Sequence, residues 1–218
     1  AGDVWRDWIT TGAGNDVIDA KAGDDIVNAN TGDDVVKAGD GDDILFGGSG
    51  VDTLSYEGAS QGQYANLSRA KYYTQDQYEQ EKSWDNAEAN GQAVNRQFLG
   101  DRASGFENLT GTDHDDILIG DRKDNELSGG KGSDYLVGGD GNDSYYFQIG
   151  GGSLVVSEYD LSHGVKAPEI GVEDLKKSGE DSLVFGEGIK ESDLNFERDY
   201  PDLKIRVFGT NDEVVIKN

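Results

Sequence analysis

Aspartates recur every nine residues through the first quarter of the chain: Asp16, Asp25, Asp34, Asp43 and Asp52. Two residues after each stands an aliphatic side chain (Ile18, Val27, Val36, Leu45, Leu54), and two residues before each stands a glycine (Gly14, Gly23, Gly32, Gly41, Gly50). The pattern returns around Asp134 and Asp143, at 129–137 and 138–146. Like charges held in register at strand spacing repel, so a compact body built on this period requires a cation among them. Carboxylates and backbone carbonyls of glycine-rich turns offer that cation an all-oxygen cage. Six or more hard oxygen donors favour calcium, fit magnesium less well because it dehydrates reluctantly, and do not suit zinc or copper. The chain has no cysteine, which removes thiolate metal sites and disulfides alike.

The period also dictates the elements that position these side chains. Nine residues are too few for a helical repeat and suit a six-residue turn followed by a three-residue strand. Two such units close one coil of a flattened spiral, so the expected fold is all-β: a right-handed parallel β-roll in which each turn lies beside the turn two repeats away. Pairing turns in this way gives three cation sites in the first array. Ile9, Val27 and Leu45 should form one inner stack, and Ile18, Val36 and Leu54 the other. Glycine supplies the positive φ that such turns need, and turns such as Ala20-Lys21-Ala22-Gly23 should be more strained. The outward Val17 and Val35 share one face and Ile26 and Ile44 the other, which predicts that one of these apolar ladders is covered.

Gly47-Gly48-Ser49-Gly50-Val51-Asp52-Thr53-Leu54-Ser55 and the repeats at 129–146 resemble the RTX (repeats-in-toxin) nonapeptide, Gly-Gly-x-Gly-x-Asp-x-aliphatic-x. The resemblance implies that the sixth-position aspartate binds calcium together with carbonyls of the first four turn positions. Carried onto this chain, the carboxylate ligands are Asp7, Asp16, Asp25, Asp34, Asp43, Asp52, Asp116, Asp134 and Asp143. The turn ligands of the first array are Thr11, Gly12, Gly14, Ala20, Gly23, Ala29, Thr31, Gly32, Ala38, Gly39, Asp40, Gly41, Gly47, Gly48, Ser49 and Gly50. Those of the second are Gly111, Gly120, Gly129, Gly130, Gly132, Gly138, Gly139 and Gly141. The pattern has departures. Trp5 occupies the glycine slot before Asp7, and His114 the fourth position of turn 111–116. In turn 120–125, Lys123 replaces glycine and Asn125 replaces the aspartate, so that Asn125 marks a weak calcium site or none. Leu127 is expected to continue the inner stack of Leu118, Leu136 and Tyr145.

Four segments are expected: a first array at 1–55, an insertion at 56–107, a second array at 108–146 and a C-terminal antiparallel β cap at 147–218. The insertion carries Tyr72, Tyr73, Tyr78 and Trp84, candidate contacts to a glycan or receptor, and a short helix from Thr74 to about Asn90. After Asp143 the pattern changes to strands at 153–159, 182–185, 194–198, 203–208 and 213–217, with a hairpin turn at Gly209-Thr210-Asn211-Asp212. The block organisation is similar to the RTX region of adenylate cyclase–haemolysin toxins.

With 44 acidic and 19 basic residues, a net charge of -25, the chain is unsuited to nucleic acid or to unaided docking on an anionic membrane. Only 34% of residues are hydrophobic, the signature of a chain that does not order by burial alone. Gly58-Ala59-Ser60-Gln61-Gly62 fits the string of a serine nucleophile but has no partner histidine nearby, and no His-Glu-x-x-His occurs, so no catalytic constellation is found. No run approaches the roughly 20 apolar residues of a membrane helix. The absence of methionine suggests a piece of a longer protein. As the resemblance implies, the expected role is a calcium-binding module of a bacterial type I-secreted protein, extracellular or at the cell surface, folding when calcium binds and resting against neighbouring domains. Two other roles fit the sequence: a calcium-dependent adhesin using the insertion to hold a receptor or glycan, and an accessory module of a secreted hydrolase or epimerase.

Overall fold

The computed structural model describes residue 2 and residues 4–67, 101–157 and 180–217. The aromatic residues Tyr72, Tyr73, Tyr78 and Trp84, and the helix expected after Thr74, lie outside them. Three-residue strands follow one another at the repeat period: β1 (Trp8–Thr10), β2 (Val17–Asp19), β3 (Ile26–Asn28), β4 (Val35–Lys37), β5 (Ile44–Phe46) and β6 (Thr53–Ser55). Then come β7 (Tyr64–Asn66), β8 (Arg102–Ser104), β9 (Asn108–Thr110), β10 (Ile117–Ile119), β11 (Glu126–Ser128), β12 (Gly132–Val137), β13 (Ser144–Phe147), β14 (Gly152–Ser157) and β15 (Ser182–Phe185). The chain ends in β16 (Leu194–Asp199), β17 (Asp202–Val207) and β18 (Glu213–Lys217).

The result is a parallel β-roll. Strands two apart pair in parallel with a shift of one coil, as in Ile9↔Val27 and Val17↔Val35. One seven-stranded sheet, β15-β13-β11-β9-β6-β4-β2, runs through both arrays. The intervening strands form a four-stranded sheet, β1-β3-β5-β8, and a second seven-stranded sheet, β16-β17-β18-β14-β12-β10-β7. The middle residue of each short strand points inward because side chains alternate along a strand. Val27, Leu45, Val36, Leu54, Leu109, Leu118, Leu127 and Leu136 are all buried to 1% exposure or less. Leu127 stacks between Leu109 and Tyr145, whereas Leu118 and Leu136 belong to the other sheet, so the single inner stack expected for the second array is two.

Within 56–107, the described residues 56–67 and 101–107 take part in the stack. After β6 the chain lays β7 beside β10, and β8 sits beside β5 before β9 joins β6. Beyond Asp143, the expected strands form within a residue or two at most ends, but β14 and β15 are parallel rungs of the roll. Only β16, β17 and β18 pair antiparallel, with the expected turn at Gly209–Asp212 between the last two. This arrangement covers the edge of β14, which would otherwise present unpaired backbone groups. Of the outward ladders, Val17 is 75% exposed and Ile26 8% exposed, while Val35 and Ile44 are both partly buried, so the two faces differ at Ile26, which is covered.

Leu54 is fully buried between Val36 and Leu109, at the junction of the arrays. Leu54→Ala should cost about 2–5 kcal/mol, read as a lower urea midpoint in excess calcium.

Candidate metal centre

The aspartate closing each turn precedes its strand by one residue, and the roll brings these side chains into rows. Asp25, Asp34, Asp43, Asp116 and Asp143 are each 1% exposed, Asp52 is 0% and Asp134 is 3%. In each row one carboxylate oxygen reaches back a full coil and accepts a backbone N–H: Asp25 from Asp7 at 2.7 Å, Asp34 from Asp16 at 2.8 Å, Asp43 from Asp25 at 2.7 Å and Asp52 from Asp34 at 2.9 Å. In the second array Asp134 takes the N–H of Asp116 at 3.1 Å and Asp143 that of Asn125 at 2.9 Å.

The second carboxylate oxygens differ. Oδ2 of Asp16, Asp34, Asp43 and Asp52 is buried and accepts no hydrogen bond. A buried acceptor without a donor carries its full desolvation cost, and two unit charges about 5 Å apart repel by roughly 3 kcal/mol at an effective dielectric of ~20. These atoms fit a hard cation. Among the described residues no three carboxylate or imidazole side chains converge, so an ion between the turns would take most of its donors from carbonyl oxygens, as calcium does.

The turns are shaped for that approach. Gly39, Gly41, Gly48 and Gly50 lie at φ of +93°, +151°, +120° and +141°, and the same positions recur as Gly130, Gly132, Gly139 and Gly141. A Cβ on Gly50 would lie 2.0 Å from the Gly32 carbonyl oxygen, so here glycine is required by contact between turns as well as by φ. Lys21 and Asn30 hold φ of 80° and 73° without being glycine, which locates the expected strain. Adjacent turns are tied by backbone bonds such as Gly32 N to Ser49 O and Ser49 N to Asn30 O, both 2.9 Å.

Residues outside the nonapeptide pattern complete the rows. Asp101 accepts the N–H of Asp43 at 2.8 Å, Glu107 that of Asp52 at 2.9 Å and Asp181 that of Asp143 at 2.8 Å. Each is an acid immediately before a strand, and Glu107 and Asp181 also keep the glycine two residues before and the aliphatic two residues after. Tyr56, 2% exposed, hydrogen-bonds Asp101. Asp116 and Asn125 behave differently from the expected ligands: their side-chain oxygens already accept protein donors. His114 donates its backbone N–H to Thr112 Oγ1 at 2.9 Å. Ser60 donates its backbone N–H to Asp40 at 2.8 Å, and the element that follows it is the strand β7 rather than a helix.

Residues 6–27, 20–54 and 110–145 match the family model of the RTX calcium-binding nonapeptide repeat. Within these spans the turns carry the RTX nonapeptide repeat. Among solved structures the chain is similar to the extracellular lipase LipA from Serratia marcescens, at 16% identity and a TM-score of 0.26. That alignment covers 99% of this chain and 36% of the lipase chain. No curated protein matches.

Burial raises the carboxyl of Asp43 to about 8, with the charge of Asp101 adding to it. Burial likewise raises Asp134 to about 7 and Asp101 to about 6. These groups hold protons in the folded RTX array that they release, in the unfolded chain, at about 3.9. Their contribution to the calcium-free fold is therefore present below pH ~4 and lost as the pH rises towards 8. In chelator, acidification from pH 8 to pH 5 should increase β structure by circular dichroism, while in calcium the same change should raise the calcium midpoint. Asp34→Asn should raise the calcium midpoint roughly 3–10-fold, because ligand charge sets affinity. In chelator the same substitution should stabilise the fold, since it removes a buried charge.

Proposed function

We propose that this chain is a conditional folding module of a secreted protein, kept open where calcium is scarce and closed into the roll where calcium is abundant. The observation that carries this reading is the row of buried aspartates whose outer oxygens accept no hydrogen bond. Without a cation, repulsion along the rows opposes the coil. With calcium, the same rows become its main stabilisation. Extracellular calcium modules bind with dissociation constants near 10⁻⁴–10⁻³ M, and one such site at tenfold excess adds only about 1.4 kcal/mol. Several sites sharing turns along one stack make the transition cooperative.

The ligands in this reading are the aspartates and turn carbonyls of 11–52 and 129–143, joined by Asp101 and Asp181. The division into arrays, insertion and cap is proposed as functional: arrays sense calcium, and the C-terminal strands close the edge of the stack and give folding its start. The role is structural, and any catalytic or receptor-binding activity belongs to other parts of a larger secreted protein.

Titration with calcium, followed by circular dichroism, should show a cooperative gain of β structure at about 0.1–1 mM. Magnesium at the same concentrations should give little. A chain fully folded in excess chelator at neutral pH would remove the basis of the proposal. Deleting 147–218 strips the partners of β12 and β13 and should abolish the calcium response of the upstream repeats; an unchanged response would refute nucleation by the cap.

A further inference from the structure

Two turns in the middle of the roll are built on a different plan. In turn 111–116, Asp116 Oδ2 accepts both the backbone N–H of Thr112 at 2.7 Å and its hydroxyl at 3.0 Å, while Oδ1 accepts the N–H of Gln63 at 2.6 Å. In turn 120–125, Asn125 Oδ1 accepts the N–H of Asp121 at 2.8 Å, and Asn125 Nδ2 donates to the Glu107 carbonyl at 2.7 Å. Both turns have folded inward on their own sixth side chain. Thr112, His114, Asp121 and Lys123 do not adopt the positive φ of the corresponding glycines at 39, 41, 48 and 50. The inward second-position N–H therefore occupies an acceptor that Asp34, Asp43 and Asp52 leave open.

The charge balance of the second turn is the telling part. Glu107 is 8% exposed, and its Oε2 holds the N–H of Asp52 at 2.9 Å. Its Oε1 is paired with the ammonium of Lys123, the residue standing where the repeat calls for glycine. An exposed lysine pair contributes little, and the Lys123 side chain is 57% exposed. Its partner, though, is a buried carboxylate, and stripping the cation from a buried carboxylate leaves an uncompensated charge.

We infer that turns 111–116 and 120–125 take no calcium, and that the Lys123 ammonium serves as the tethered cation of the second. This rests on the calcium reading of the remaining turns. The roll would then hold two kinds of rung: calcium-dependent ones towards each end, and a self-neutralised belt at the junction where β6, β9 and β11 meet. The sixth-position asparagine belongs to the same plan, since its amide donates where a carboxylate would need a metal.

Calcium bound at saturation, counted by equilibrium dialysis with radioactive calcium, tests this on the full chain. Lys123→Gly with Asn125→Asp returns the fourth and sixth positions to the repeat and should add one ion to the wild-type number; an unchanged number overturns the inference. Lys123→Met keeps the stem and loses only the charge. It should raise the calcium midpoint of folding roughly threefold without adding an ion, and this arm stands even if the double variant does not fold. A midpoint that stays put overturns the tethered cation. Wild-type uptake separates the failures: ions bound by the wild type with no change in either variant defeat only this inference, whereas no uptake by the wild type defeats the calcium reading and this inference with it.

Discussion

A carboxylate can be buried beside another carboxylate only when something positive or donating stands between them, and this roll places such pairs at every coil of its first array. Asp25, Asp34, Asp43 and Asp52 are as inaccessible as the leucines behind them. Half of each carboxylate is satisfied by a backbone N–H one coil away. The other half sets the conditions under which the chain is compact. The apolar core is narrow, one inward residue per short strand. In the reading proposed above, fold and cation are one requirement in this chain.

The repeat made the strands, the inner stacks of the first array and the register between coils legible, because a period of nine with one inward aliphatic has few other solutions. The rows were legible for the same reason. The path of the chain between β6 and β9 was not. Nothing in Gln61-Gly62-Gln63-Tyr64 announces that β7 skips ahead to lie beside β10, since that choice is made by pairing rather than by local pattern. Asp101, Glu107 and Asp181 were missed as members of the rows because their turns lack the leading glycines, although Glu107 and Asp181 keep a glycine two residues before (Gly105, Gly179) and a leucine two residues after (Leu109, Leu183). The antiparallel alternation of Leu203, Ile205 and Val207 was readable. The strands at 152–157 and 182–185 look alike in sequence and yet continue the roll.

The departures from the repeat are as informative as its copies. A lysine in place of glycine, with an asparagine in place of aspartate two residues later, reads as decay of a motif. The structure gives both residues partners: the ammonium meets Glu107 and the amide meets the Glu107 carbonyl. Thr112 does the same for Asp116 with its own hydroxyl and N–H. Degenerate turns can be read as turns that have internalised their counter-charge.

The clamps between coils run both ways. Sixth-position carboxylates grip the backbone of the coil nearer the N-terminus. The fifth-position side chains of Asn15, Asp24, Asp33, Asp115 and Asp124 grip the backbone of the coil nearer the C-terminus. Each coil is thus bolted to both neighbours by side chains of adjacent residues, and a rung cannot slide along the stack without breaking bonds of both senses.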